Sequence, residues 1–376
     1  MRKDTPVELL TDLLRIHTVN SSDREIDAAE YIAEYFRAHG IEACVTAIDE
    51  KRGNVTACIE GEDPSQIMLW NGHLDTVPYG DREKWSSDPA EPVFRDGRIY
   101  ARGASDMKSG LAAMVYTLCH LDRKPPYTIR FLGTCDEEKN GEGAAAALAA
   151  GCMDRVKWVL IGEPTGLRPG TAQKGCLWLE MDVRGKTGHG AYPERGANAV
   201  ECAIAVAAKV RDLTGGYRHD LLGSSTAQIT GISGGVANNM TPDRCRLVMD
   251  IRMTPGLSVE QVLAVCREEM RLQREIRKEL QADFRILNSR RAIEISADHP
   301  MAERIGSLTE LEGYDRRPVG ISFFTDASVL DRQGNTDILL FGPGDPGLAH
   351  QPDEYVETER YEAAVRILGS FAGKPW

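Results

Sequence analysis

The sequence predicts an α/β protein: a mixed, mostly parallel sheet with helices on both faces, interrupted by an inserted α+β domain. Three observations predict it. Short apolar runs alternate with helical segments as far as about residue 176. From residue 177 the order becomes β-α-β-β-α-β, and after residue 287 the first pattern returns. Residues 1–176 and 288–376 then form one domain, and 177–287 an insertion within it. A chain of 376 residues is long for one domain and ample for two.

The elements follow in order. Residues 6–18 and 23–39 read as helices: Ile26, Ala29, Ile32, Ala33 and Phe36 recur at helical spacing, and Gly40 stops the second. Residues 41–48 and 54–59 alternate like strands. Residues 67–70 form a short apolar run ending at Asn71-Gly72-His73-Leu74-Asp75. Residues 110–121 read as helix, 127–133 as strand, 143–150 as an alanine-rich helix and 156–161 as a buried strand. Such alternation implies parallel strands covered on both faces. In the insertion, 177–183, 225–232, 244–252 and 282–287 read as strands, with helices over 197–213 and 258–280. That order suggests a ferredoxin-like, four-stranded antiparallel sheet with helices on one face. Residues 300–311, 338–341 and 357–371 restore the α/β pattern.

Composition narrows the function. Lys plus Arg is 45 and Asp plus Glu is 57, a net charge of −12. This argues against a nucleic-acid binder, which needs a basic surface. No apolar stretch reaches the roughly 18 residues of a membrane-spanning helix, and Met1-Arg2-Lys3-Asp4-Thr5-Pro6 leads into an amphipathic segment, not a signal-peptide core. Nine scattered cysteines, with no CxxC pair, suggest free thiols in a reducing cytoplasm and argue against a cysteine-held zinc.

Chemistry gathers at strand ends. His73 and Asp75 lie two apart after an apolar strand, so both face one way, and Asp75 can orient His73 toward a metal. A turn with a surface ion pair is the ordinary alternative. Asp106 stands at a loop-to-helix junction, where a carboxylate either caps a helix or bridges two cations. Its glycine-rich surroundings, Gly103 to Gly110, do not match a phosphate-binding loop. Cys135-Asp136-Glu137-Glu138 follows the strand 127–133, and Glu163 follows 156–161. His350 lies in a Gly/Pro-rich loop after 338–341. Two histidines and several carboxylates, each at the strand edge where α/β sheets place ligands, form one possible site. Their N/O character suits zinc, cobalt or manganese.

These motifs resemble the M20 metallopeptidase family, which includes acetylornithine deacetylase, succinyl-diaminopimelate desuccinylase, aminoacylase-1 and glutamate carboxypeptidases. The matching stretches are Gly72-His73-Leu74-Asp75-Thr76-Val77-Pro78, Gly103-Ala104-Ser105-Asp106-Met107-Lys108-Ser109-Gly110, Asp136-Glu137-Glu138, Gly162-Glu163-Pro164-Thr165 and Ala349-His350-Gln351-Pro352-Asp353-Glu354. The resemblance covers nearly the whole chain. It implies two divalent ions per chain, zinc first with cobalt or manganese as alternatives. It places His73, Asp106 and Glu163 on one ion, and His350, Asp106 and Glu138 on the other, with Asp106 bridging. It makes Glu137 the general base and Asp75 the residue that orients His73, and puts a cis peptide just after Asp106. Within the insertion, His189 resembles the residue that reaches the partner subunit's site to hold the oxyanion, which implies a homodimer joined through that domain. Asn239 and Arg252 resemble substrate contacts, Arg252 gripping a carboxylate; an Asx-type turn and an ion pair with Asp250 or Glu260 are their ordinary alternatives.

The segment Gly320-Ile321-Ser322-Phe323-Phe324-Thr325-Asp326-Ala327 sits where family desuccinylases carry a Gly/Ser-rich stretch, and Thr325 is a further candidate contact. The ending through His350 and Glu354 looks more like the acetylornithine deacetylase branch. The expectation is hydrolysis of a small N-acyl amino acid or related N-acyl amine. A di- or tripeptidase, a carboxypeptidase or succinyl-diaminopimelate desuccinylase is the alternative, and a non-enzymatic metal-dependent binding module a third class. No nucleic-acid or membrane partner is expected.

Overall fold

A computed structural model describes residues 4–331 and 334–374. They form two compact units: the described residues of Met1–Thr171, Ile295–Ile321 and Thr325–Trp376, and those of Ala172–Glu294 and Ser322–Phe324.

The first unit is built on a mixed sheet. Its strands lie in the spatial order Ala43–Ala47, Gly53–Ile59, Tyr127–Thr134, Asp63–His73, Val156–Ile161, Asp337–Leu340 and Gly170–Gln173, the last crossing into the second unit. The four strands from Tyr127–Thr134 to Asp337–Leu340 are parallel. The flanking pairs are antiparallel. A short loop joins Ala43–Ala47 to Gly53–Ile59, and so short a link permits only antiparallel pairing. Parallel neighbours all end at one edge, so the loops after them gather there.

The strand read as 67–70 extends over Asp63–His73. Its polar end is held in the sheet by the Asn71 side-chain NH2, which donates to the Leu132 carbonyl at 3.1 Å and to Thr134 Oγ1 at 3.2 Å. Periodicity alone hides such a strand, since buried polar groups are tolerated where they are bonded. The helix Pro6–Arg15 starts at Thr5, whose side chain accepts from the Glu8 N–H at 3.2 Å. The helix Lys108–Cys119 is buried on nearly every side and shares a core with Pro6–Arg15, Glu25–Ala38 and Thr358–Ala372.

Gly110 allows that helix to approach the end of Val156–Ile161. A Cβ there would sit 1.8 Å from the Gly162 carbonyl oxygen. The obstacle is backbone and cannot rotate away. Gly110→Ala is therefore expected to destabilise the fold by about 3 kcal/mol or more, the upper end of the overpacking range. Denaturant midpoints of the two proteins measure this; a loss under about 1 kcal/mol would mean that helix and strand separate easily.

The second unit has the β-α-β-β-α-β order: Gly175–Arg184, Ala199–Gly215, Thr226–Gly234, Arg244–Met253, Val259–Ile276 and Gln281–Arg290. The sheet order is Thr226–Gly234, Arg244–Met253, Gly175–Arg184, Gln281–Arg290, antiparallel throughout. Alternate residues face one core: Leu177, Leu179, Met181 and Val183 pack with Leu247, Met249 and Ile251 against both helices. The other face carries charge pairs. Glu180 accepts from Arg246 at 2.5 Å and from Arg285 at 2.7 Å, and Asp182 pairs with Arg244 at 2.8 Å. Among the described residues no helix is long and apolar enough to cross a membrane. All nine cysteines are free.

Candidate metal centre

The parallel centre of the first unit's sheet brings the polar motifs together. His73 ends its strand directly opposite Thr134, after which the chain continues into Asp136, Glu137 and Glu138. Glu163 follows the neighbouring strand, and the loop after Asp337–Leu340 carries His350. Asp106 enters ahead of the helix Lys108–Cys119, and the peptide bond from Asp106 to Met107 is cis.

Asp106 lies between the two histidines. Its Oδ1 is 3.3 Å from His73 Nε2 and its Oδ2 is 3.4 Å from His350 Nε2. Glu138 Oε2 is 2.9 Å from His350 Nε2, and Glu163 Oε1 is 3.9 Å from His73 Nε2. The site thus has two halves that share one carboxylate. His73 is 1% exposed at its side chain and His350 50%, so the halves differ in access to solvent. His350 and Asp136 have positive φ, 64° and 60°, a conformation L-residues rarely adopt and one that clusters at functional sites.

Supporting groups fix the geometry. His73 Nδ1 lies 2.9 Å from the main-chain oxygen of Asp75, an acceptor only, so Nδ1 carries a hydrogen and Nε2 is the nitrogen that faces Asp106. The Asp75 carboxylate is 3.7 Å from the same ring nitrogen. It accepts instead from the backbone N–H groups of Glu137 at 3.1 Å and Glu138 at 3.2 Å, and from the Asn20 side chain at 2.9 Å. Asp75 therefore holds the loop that carries both glutamates. Glu354, fully buried, accepts from the N–H groups of Ser105 at 2.8 Å and Asp106 at 3.0 Å, and from Arg102 at 2.6 Å. Thr134 Oγ1 donates to Asp326 Oδ2 at 2.5 Å. The roles of Asn20, Thr134 and Glu354 were not foreseen from the sequence. Only Glu354 carried a signal, its place four residues after His350 in a motif already singled out.

The electrostatics show a site short of positive charge. Burial, then Glu163, Asp326 and Glu138, push Glu137 well above the ordinary carboxylate range, against the pull of His73. Burial, then Asp106, pushes Glu163 well up and Glu138 to about 7. Burial would also raise Asp106, but hydrogen bonds from His350 and His73 outweigh it and hold that carboxyl below the usual range. Hydrogen bonds to Asp106 and Glu138 push His350 up to about 10. Four acidic groups share this pocket with two imidazoles. Divalent cations would relieve their repulsion. One buried Glu163 oxygen, Oε2, has no hydrogen-bond partner among the described residues, which suits a ligand atom. Nitrogen and oxygen donors of this kind suit zinc, cobalt or manganese, so the residues fit the metals.

The remaining expected residues fall in both units. Thr325 is buried in the first unit, where its Oγ1 accepts from the Ala327 N–H at 3.2 Å at the start of a short helix. In the second unit, His189 and Asn239 share one exposed loop cluster: the Gly190 N–H donates to the Asn239 carbonyl at 2.7 Å. His189 Nδ1 accepts from the Ala191 N–H at 3.1 Å, which leaves Nε2 as a donor. Arg252 makes a forked pair with Asp250, at 2.7 and 3.0 Å, and stands 5.6 Å from the Phe324 ring centre.

Comparison with known proteins agrees with this architecture. A probable succinyl-diaminopimelate desuccinylase of Staphylococcus aureus strain N315 is 28% identical, over 96% of this chain and 95% of its own length. The acetylornithine deacetylase of Myxococcus xanthus is 35% identical, over 80% of this chain and 79% of its own. The solved structure of the aminopeptidase PepT from Bacillus cereus shares the fold, with a TM-score of 0.78 at 18% identity over 98% of this chain and 97% of that one. The model of peptidase family M20/M25/M40 matches residues 69–374, a span that holds every residue of the shared-carboxylate centre, and the chain belongs to that family of metallohydrolases.

Proposed function

We propose that this chain hydrolyses the amide bond of a small N-acyl amino acid or related N-acyl amine at a two-metal centre. The observation that carries the reading is Asp106, whose two oxygens each face a different histidine. His73, Asp106 and Glu163 would hold one ion, and His350, Asp106 and Glu138 the other, with zinc favoured over cobalt or manganese. Bound there, the ions would polarise the scissile carbonyl and bring the pKa of the attacking water toward neutrality.

The chain's own groups do the rest. Glu137 is buried beside the centre and is not needed as a ligand. It accepts the proton of the attacking water and returns it to the departing nitrogen. Asp75 keeps Glu137 in place through its backbone N–H. The partner subunit's His189 donates from Nε2 to the developing oxyanion. Asn239, Arg252 and Thr325 contact the substrate, Arg252 offering its fork to a carboxylate that shares it with Asp250. A homodimer through the second unit is supported by its edge strands, Thr226–Gly234 and Gln281–Arg290, where Ile232 and Ile286 are exposed. Nine free cysteines support a cytoplasmic setting.

Similarity to an acetylornithine deacetylase supports the acyl class; similarity to a desuccinylase and an aminopeptidase keeps N-succinyl amines and short peptides as the second reading. A panel of N-acetyl-ornithine, N-formyl and N-succinyl amino acids and dipeptides such as Ala-Ala, assayed with zinc, cobalt or manganese, decides between them. Metal-dependent release of free amine from N-acetyl or N-formyl substrates above all others is expected. Preference for dipeptides would make it a peptidase, and no turnover of any member would remove the hydrolytic reading.

A further inference from the structure

Away from the centre, three side chains of the first unit meet at one carboxylate oxygen. Asp4 Oδ2 lies 2.8 Å from His39 Nε2 and 3.2 Å from His120 Nε2. The ligating atoms of all three lie within 4.8 Å of one another. Each ring is held from behind: His39 Nδ1 is 2.8 Å from the Tyr35 carbonyl, and His120 Nδ1 is 2.9 Å from the Tyr116 carbonyl. A carbonyl oxygen only accepts, so each Nδ1 carries the hydrogen. A neutral ring in that tautomer turns a bare Nε2 toward a carboxylate oxygen that also only accepts. Two protons must fill these contacts, or one cation.

The surroundings are organised for a cation. His39 and His120 cap the C-termini of the helices Glu25–Ala38 and Lys108–Cys119, where the helix dipole favours positive charge. The Tyr116 ring stacks on His120 with centroids 4.0 Å apart. The Tyr35 hydroxyl donates to Asp4 Oδ1 at 2.7 Å, which leaves Oδ2 to the histidines. Imidazoles backed by carbonyls, with Nε2 presented forward, are the arrangement that orients metal ligands.

We propose that Asp4, His39 and His120 form a peripheral site for one transition-metal dication of the zinc class, separate from the centre at Asp106. Two imidazoles and one carboxylate leave a fourth tetrahedral position for water. Bonds of about 2 Å put tetrahedral ligands about 3.3 Å apart, close to the contacts already present. Nitrogen donors disfavour calcium and magnesium, which take oxygen ligands. The side chains of His39, Asp4 and His120 are 21%, 48% and 33% exposed, so an ion enters from solvent. An ion there would tie Asp4 to the ends of two helices.

The test counts zinc by native mass spectrometry in wild type, His39→Asn and His120→Asn under one excess of zinc chloride. Wild type should carry one ion more than either variant, and that ion should bind at least about tenfold more weakly when one histidine is lost. The imidazole C–H resonances of His39 and His120 should move on zinc addition and not on calcium addition. A His350→Ala chain, altered only at the other centre, should show the same movement, which keeps this site's fate distinct from that of the catalytic one. If a variant fails to fold, the resonances of the wild-type chain decide alone. Equal zinc in all folded chains, or unmoved resonances, would overturn the proposal and leave two protonated histidines clamped on Asp4.

Discussion

Glu137→Gln should lower kcat by at least about a thousandfold, toward the upper end of what one general base supplies, because the same group also serves as acid. KM should change little. The glutamine has the same volume and leaves His73, Asp106, Glu138, Glu163 and His350 untouched, so ground-state binding is preserved while a transition-state interaction is lost. The backbone N–H of residue 137 keeps its bond to Asp75 whatever the side chain. Steady-state kinetics on the preferred substrate, with metal content measured on the same sample, check the result. Wild-type turnover with metals still bound would remove Glu137 from the mechanism.

The second large effect is a recovery. Glu137→Gln and His189→Ala should each be nearly inactive alone, and His189→Ala should keep its metals, since His189 is not proposed as a ligand. Mixed under subunit exchange, they form dimers in which one site receives wild-type Glu137 from one chain and the partner subunit's His189 from the other. One of two sites is then complete, so activity should recover to about half the wild-type value per mixed dimer. No recovery despite proven mixed dimers would place the action of His189 within its own chain or outside catalysis. A monomeric, fully active wild type would do the same.

Much of the fold was legible because its elements are long and strongly patterned. The alternation of Leu177, Leu179, Met181 and Val183 and the order of strands and helices identify the antiparallel unit. The motifs at His73, Glu138, Glu163 and His350 could be placed together because parallel strands deliver their ends to one edge, whereas Asp106 comes from the loop ahead of Lys108–Cys119 and was singled out by its motif. What stayed hidden falls into two kinds. The short strands Val93–Arg95, Arg98–Tyr100, Gly170–Gln173 and Tyr355–Glu357 are too brief for any period to show. Pairings between distant segments leave no local trace either: Asp75 turns its carboxylate to the Glu137–Glu138 loop, Glu354 holds Asp106 across 248 residues, and Asp4 meets His39 and His120. Arg252 illustrates the limit from the other side, since its fork is already engaged by Asp250, one of the two ion pairs its sequence position allowed.

The central claim is that Asp106 joins two metal sites into one centre. Elemental analysis tests it most directly, on chains reconstituted with zinc in a His120→Asn background so that the peripheral ion is not counted. The account predicts about two ions per chain, with at least one lost in His73→Ala, in His350→Ala and in Asp106→Asn. A stoichiometry unchanged in both His73→Ala and His350→Ala would contradict it.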